Sequence, residues 1–96
     1  MVNLGQSLDD LLNKVNETLQ TKPRIVRVDI AKDQQEVTIF SEGVRRNELR
    51  LARPENPDAI LAHIRTGVRK DYDVSSIVRY RDNVGYFTLM PKLTLP

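Results

Sequence analysis

Side chains able to do acid–base or nucleophilic chemistry are few and scattered in this sequence. The single histidine, His63, falls beside the apolar stripe of a predicted helix, a position typical of a solvated surface residue. Asp71 and Asp73 suggest part of a calcium-binding loop, but the further oxygen ligands and the closing glutamate are missing. The four glycines are isolated, and no serine lies in a nucleophile motif. We therefore expect no enzyme activity, no metal and no cofactor.

Arginine is the residue type that most favours binding chemistry here. The chain has ten arginines against five lysines, and the planar guanidinium suits phosphates, carboxylates and aromatic faces. The net charge is nevertheless only +2. The densest basic stretch contains four arginines within nine positions: Arg45, Arg46, Arg50 and Arg53. This stretch predicts a loop that grips nucleic acid or an acidic protein surface, or else an edge strand that charge keeps soluble.

Two amphipathic helices are predicted to support these side chains. Ser7 and Asn56 both occupy helix N-cap positions, with acidic residues in the turn that follows each. Apolar residues recur at helical spacing after both caps. Alternating strands follow each helix, so the order helix–strand–strand occurs twice. This order indicates a possible pseudo-repeat, although any two capped amphipathic helices would superpose about as well.

The first pair of strands has a register that the side chains themselves predict. Residues 25–30 and 37–40 alternate between apolar and polar types. A turn at residues 33–34 pairs Ile30 with Val37 and Val28 with Ile39 on one face and places Arg27 opposite Phe40 on the other. A slip of one residue would mix the two sets.

Three further strands are predicted by shorter patterns. Residues 49–51 alternate briefly and indicate a short third strand. Residues 76–81 and 86–90 flank a loop that contains a glycine, as in a four-residue hairpin connection. This second hairpin is predicted to pair Val78 with Leu89 on the core face.

These elements predict an α+β fold with two helices on one face of a four- to five-stranded antiparallel sheet. We expect one domain over residues 1–96, with flexible or partner-contacting ends at 1–6 and 91–96. No apolar run approaches 18 residues and no charged leader precedes one, so a soluble, cytoplasmic protein without membrane contact is expected. The order of elements is similar to that of small dimeric α+β secretion chaperones, a resemblance in topology that implies a homodimer.

The outer face of this predicted sheet mixes apolar, aromatic and basic side chains. The residues predicted there are Ile25, Arg27, Phe40, Ile77, Arg79, Arg81, Tyr86 and Met90. A face that meets only solvent is usually polar, so the mixture indicates a contact surface. Packing of arginine on aromatic rings across neighbouring strands would be an alternative explanation.

Two functions remain open from the sequence. In the first, the face binds protein, either a second copy or another chain, with apolar anchors and a rim of arginines. In the second, Tyr86 and Phe40 stack on bases while the arginines hold phosphates. Acidic residues interrupt the basic ones along the chain, and the net charge is small for a nucleic-acid binder. The sequence therefore favours a protein-interaction or adaptor module.

Overall fold

Two helices and six strands form within residues 5–79 and 85–93, the part of the chain that the computed structural model describes. In chain order they are α1 (Leu8–Leu19), β1 (Val26–Ile30), β2 (Glu36–Ser41), β3 (Val44–Arg50), α2 (Pro57–Gly67), β4 (Tyr72–Val74), β5 (Val78–Arg79) and β6 (Gly85–Pro91). The named strands pair antiparallel, which confirms the predicted α+β class with slightly more strands than expected. Across these residues, neither helix is long and apolar enough to span a bilayer.

Each helix begins where the sequence predicts. The Ser7 hydroxyl accepts the main-chain N–H of Asp10 at 3.1 Å, and the Asp10 carboxylate accepts the N–H of Ser7 at 2.9 Å. The pair forms a capping box. The Asn56 side chain accepts the N–H of Asp58 at 2.8 Å, and Pro57 takes the first helical position. These caps fix the starting residue of each helix, and hence the direction in which its apolar stripe points.

The helices pack against each other near the end of α2. A Cβ atom added at Gly67 would come within 2.5 Å of Leu12 Cδ2, so the glycine permits this close approach. Asn16 donates through Nδ2 to the Gly67 carbonyl at 3.1 Å and accepts the N–H of Arg69 at 3.0 Å. Asn16 thereby satisfies main-chain groups at the end of α2.

The sheet has the order β3–β2–β1–β6–β4, and β5 pairs with β6. In the central strand β1, Val26, Val28 and Ile30 are fully buried, while the residues between them are half-buried. The same alternation on β2 and β6 gives the sheet one face that packs under both helices and one that they leave uncovered. Within the order β2–β1–β6–β4, the first two strands that follow α1 lie beside two of the strands that follow α2. In both pairs, the strand that comes first in the chain lies on the same side of its partner.

The register of the first hairpin is the predicted one, with Arg27 opposite Phe40. Asp33 fixes the turn because its Oδ1 accepts the N–H groups of Gln35 at 2.9 Å and Glu36 at 3.0 Å. These hydrogen bonds and a neighbouring guanidinium lower the pKa of Asp33 from 3.8 to about 2. The turn therefore contains a carboxylate that is stabilised in its charged form.

Strand β3 is longer than the predicted strand over residues 49–51. Consecutive residues of β2 pair with Arg45 and Asn47, which leaves Arg46 as an extra residue in a bulge. Because a bulge interrupts the alternation of side chains between faces, it concealed the first half of this strand in the sequence pattern.

The sheet also includes parts of the predicted free ends. Gln6 pairs in parallel with Leu51 just after β3, and Pro91 pairs with Tyr72 at the start of β4. The segments 1–6 and 91–96, predicted to be flexible or partner-contacting ends, thus each contain a residue that is held by main-chain pairing.

The predicted register of the second hairpin is wrong. Val78 lies opposite Tyr86, and β4 instead of Val78 occupies the position opposite Leu89. The reason is a long-range contact: the buried Tyr72 of β4 donates its hydroxyl to the Pro23 carbonyl at 2.7 Å. This hydrogen bond ties β4 to the loop after α1, which strand alternation alone does not indicate.

Candidate functional site

The uncovered face of the sheet, here called the outer face, consists of the strand residues that point away from both helices. Residues that pair across neighbouring strands point to the same face of the sheet, so the pairs identify the residues of each described strand that belong to the outer face. The described residues of the outer face are Arg27, Asp29, Glu36, Thr38, Phe40, Arg45, Glu48, Arg50, Asp73, Val78, Tyr86, Thr88 and Met90.

Arg27 lies at the centre of the outer face between two aromatic rings. Its strand β1 is flanked by β2, which carries Phe40, and by β6, which carries Tyr86. The guanidinium carbon is 4.6 Å from the centre of the Phe40 ring and 5.6 Å from that of the Tyr86 ring. Both distances fall within the range of cation–π attraction. The arrangement thus restricts a long and normally flexible side chain.

Asp29 further fixes the position of Arg27. The two residues follow each other on the same face of β1, and Arg27 Nε lies 2.7 Å from Asp29 Oδ1. Both atoms are shielded from solvent, and their geometry is an ion pair without an aligned hydrogen bond. The Arg27 side chain as a whole is 41% exposed. The outer face therefore presents a partly exposed arginine side chain whose position is set in advance.

Apolar side chains surround this central group. Ile25, immediately before β1, is 38% exposed, Val78 is 43% exposed and Met90 is 52% exposed. A depression of about 260 Å³ lies over Arg27 and Phe40 beside Ile25. Exposed apolar side chains around a positioned arginine and two aromatic rings have the composition of a protein–protein contact surface.

The charges of the outer face nearly balance. Its described strand residues include three arginines and four carboxylates: Arg27, Arg45, Arg50, Asp29, Glu36, Glu48 and Asp73. Arginines and carboxylates alternate along β1 and along β3. This balance provides no strong attraction for a polyanion such as nucleic acid.

The structure brings together five of the eight residues that the sequence predicted for this face. These five are Ile25, Arg27, Phe40, Tyr86 and Met90. Arg81 lies outside the described residues.

Ile77 and Arg79 are not on the outer face, which corrects their predicted position. Ile77 is half-buried and packs against the core beneath the helices. Arg79 lies opposite Gly85 and donates to the Asp58 carboxylate of α2 at 3.0 Å. Both corrections follow from the shifted register of β5, because each residue moves to the other face of the sheet when the register changes by an odd number.

The basic stretch predicted as an alternative contact does not form one cluster of free cations. Arg45 pairs with Glu48 at 3.5 Å, and Arg53 pairs with Glu55 at 3.1 Å. Arg50 contacts two carboxylates in and beside the first turn, at 2.9 and 3.7 Å. Arg46, the bulge residue, is the member of the stretch with no ion pair among the described residues. Most of this positive charge is compensated within the molecule.

Sequence reasoning omitted Asp29 and Val78 from the candidate site. Asp29 follows Arg27 by two positions on a strand, a spacing that places both side chains on one face, so its role was open to prediction. Val78 was assigned to the core because the second hairpin was placed in the wrong register. Its position could not be read from alternation without knowledge of β4.

Residues first considered for acid–base or metal chemistry have structural contacts. His63 Nε2 lies 2.7 Å from Asp9 Oδ1 and links α2 to α1. Asp71 accepts hydrogen bonds from the Arg69 guanidinium, which lowers the pKa of the Asp71 carboxyl. No group of three or more potential metal ligands occurs within residues 5–79 and 85–93.

The chain was compared with known proteins for independent information on this face. No protein-family model, curated protein or solved structure matches this chain.

Proposed function

We propose that this protein is a non-enzymatic interaction module that binds a second copy of itself through the outer face. The observation that carries the proposal is the fixed guanidinium of Arg27, held between Phe40 and Tyr86 with Asp29 at 2.7 Å. It lies on a sheet face that neither helix covers.

Positioned side chains of these types favour binding to protein. Arginine and tyrosine are enriched among the residues that dominate interface energies. Ordering a free side chain on binding costs roughly 0.5–1.5 kcal/mol. For Arg27 this ordering has largely occurred in the isolated chain, because the two aromatic rings and Asp29 restrict its side chain. Met90, Ile25 and Val78 add apolar surface that a partner would remove from water.

The charge pattern of the face favours a second copy as the partner. A face with nearly equal numbers of cations and carboxylates can pair with itself without net repulsion. The five neighbouring strands span about 24 Å at about 4.8 Å each, and a six-residue strand such as β2 extends about 20 Å, so the face covers at most roughly 480 Å² in projection. Two such sheets can pack face to face at about 10 Å separation. The projected area can hold the packed centre of a standard interface.

The proposal is tested by sedimentation equilibrium over a range of protein concentrations. The expected mass rises from one chain toward two as concentration increases. Met90→Arg introduces a charge on the outer face and should hold the protein at the mass of one chain. Val44→Arg is the matched control, because Val44 is 50% exposed, close to the 52% of Met90, and pairs with Ser41 on the opposite face.

Three results would contradict self-association through this face. One is the mass of a single chain at every concentration, which would leave a different protein as the partner. The second is an equal effect of the two substitutions. The third is unfolding of the Met90→Arg variant, which circular dichroism would detect.

Nucleic-acid binding remains the alternative prediction, and the ion pairs of the basic stretch weigh against it. Fluorescence anisotropy of labelled single- and double-stranded oligonucleotides at about 50 and 200 mM salt separates the two functions, because binding through phosphates weakens steeply with salt. We expect no micromolar binding at either concentration. Micromolar binding that disappears at the higher salt would favour the nucleic-acid function.

A further inference from the structure

A second surface feature lies away from Arg27, where α2 ends. The end of α2, the turn after it, strand β4 and the residue after β6 line an open surface pocket of about 230 Å³, here called the basic pocket. Its lining residues are Arg65, Val68, Arg69, Lys70, Tyr72, Asp73, Val74 and Lys92. Four of these eight side chains are cationic and one is acidic.

Three of the four cations form no ion pair with any residue that the structure describes. The Arg69 guanidinium pairs with Asp71 at 3.2 Å. The Arg65 guanidinium instead donates to two main-chain carbonyls of residues 74 and 75, which are uncharged. Lys70 and Lys92 form no ion pair within the described residues. With Asp73 included, the rim of the pocket retains a charge of about +2, and its concave shape concentrates that potential.

A structural role at the end of α2 explains the position of Arg65 but not the positions of the two lysines. A helix C-terminus attracts positive charge, and Arg65 lies in the last turn of α2. Lys70 and Lys92 come from different parts of the chain. The main-chain N–H of Lys92 donates to the Asp71 carbonyl at 2.9 Å, which holds the end of β6 against the turn that carries Lys70. Two lysines that form no ion pair among the described residues are thus brought to the lining of one small pocket.

We infer that the basic pocket binds the phosphate group of a small soluble ligand. A phosphate group brings a charge of about −1.5 to −2 and several strong acceptor oxygens, which matches the charge of the rim. The pocket offers no aromatic surface for a base, because its one ring, Tyr72, is only 4% exposed and its hydroxyl is occupied by Pro23. Recognition therefore depends on the phosphate.

The probe is inorganic pyrophosphate, titrated into the ¹⁵N-labelled protein at constant ionic strength maintained with sodium chloride. We expect saturable amide shifts confined to residues 65–74 and 92–93. The double variant Lys70→Gln/Lys92→Gln should bind about tenfold more weakly or worse, because charge-assisted hydrogen bonds supply most of the affinity. The control Lys14→Gln/Lys32→Gln removes the same charge elsewhere and should bind as the unmodified protein does.

Equal weakening in both double variants would overturn the inference, since it would show a response to net charge alone. An absence of saturable shifts at millimolar pyrophosphate would also overturn it. Co-sedimentation with phosphatidylcholine vesicles that contain phosphatidic acid distinguishes a lipid headgroup from a soluble phosphate. We expect no co-sedimentation. Co-sedimentation lost in Lys70→Gln/Lys92→Gln would assign the pocket to a lipid and overturn the soluble ligand.

Discussion

Replacing Arg27 with methionine tests whether the centre of the outer face is fixed in advance. Methionine retains an unbranched apolar stem but removes the guanidinium that contacts Phe40, Tyr86 and Asp29. Each cation–π contact contributes about 0.5–1 kcal/mol at a partly exposed site, and the ion pair contributes up to about 1 kcal/mol. We expect Arg27→Met to lower the free energy of unfolding by about 2 kcal/mol.

The assay is urea unfolding followed by circular dichroism at one fixed low protein concentration, because self-association would add to apparent stability. With a slope of about 1–2 kcal/mol per molar urea, the midpoint should fall by about 1–2 M. Arg46→Met is the control, since Arg46 is exposed at the bulge without an ion pair among the described residues. Such a surface change should stay within about 0.5 kcal/mol.

A double-mutant cycle with Asp29→Asn isolates the ion pair. The combined variant should be less destabilised than the sum of the single changes, with a coupling of about 0.5–1 kcal/mol. If Arg27→Met costs no more than Arg46→Met, the guanidinium is not held by its neighbours. The claim that the outer face presents a positioned arginine would then be refuted.

The remaining predictions concern the elements that support this face. Tyr72→Phe should lower stability by about 1–2 kcal/mol in urea unfolding, because the Pro23 carbonyl loses its buried partner. Burial raises the pKa of Tyr72, so the stability of the unmodified protein should decline above about pH 10 as the tyrosine ionises. This decline should be smaller in Tyr72→Phe. The lowered pKa of Asp33 predicts the opposite trend: its contribution is complete above pH 3.8 and is lost as pH falls toward about 2, so acid titration should affect Asp33→Asn less than the unmodified protein. Ile77→Asp should lower the melting temperature by several degrees because it buries a carboxylate against the core, whereas Val78→Asp on the outer face should leave it nearly unchanged. Equal melting temperatures for the two variants would show that Ile77 and Val78 have been assigned to the wrong faces of the sheet.

The first hairpin and both helix starts were predictable because local chemistry determines them. Ser7 and Asn56 cap their helices through side chains two or three residues from the groups they bind. Asp33 closes its turn in the same way, and unbroken alternation then sets the register. For this reason the sequence alone correctly predicts that Arg27 lies opposite Phe40.

The half of the sheet formed by β4, β5 and β6 depends on contacts between residues distant in sequence. Tyr72 reaches Pro23, and this contact lets β4 displace the predicted partner of Leu89. Such a contact leaves no periodic signal, so Ile77 was assigned to the wrong face. The bulge at Arg46 concealed half of β3 for a different reason, because it breaks the alternation on which the prediction relied.

The most direct test of the central claim detects contacts between two copies of the chain. Equal amounts of ¹³C-labelled and unlabelled protein would be mixed, and isotope-filtered nuclear Overhauser effects would be recorded from the labelled methyl groups. Self-association through the outer face predicts intermolecular effects from the methyl groups of Met90, Ile25 and Val78, with none from Val44. Intermolecular effects from Val44 alone, or none from any methyl group at a concentration of about 1 mM, would contradict the claim.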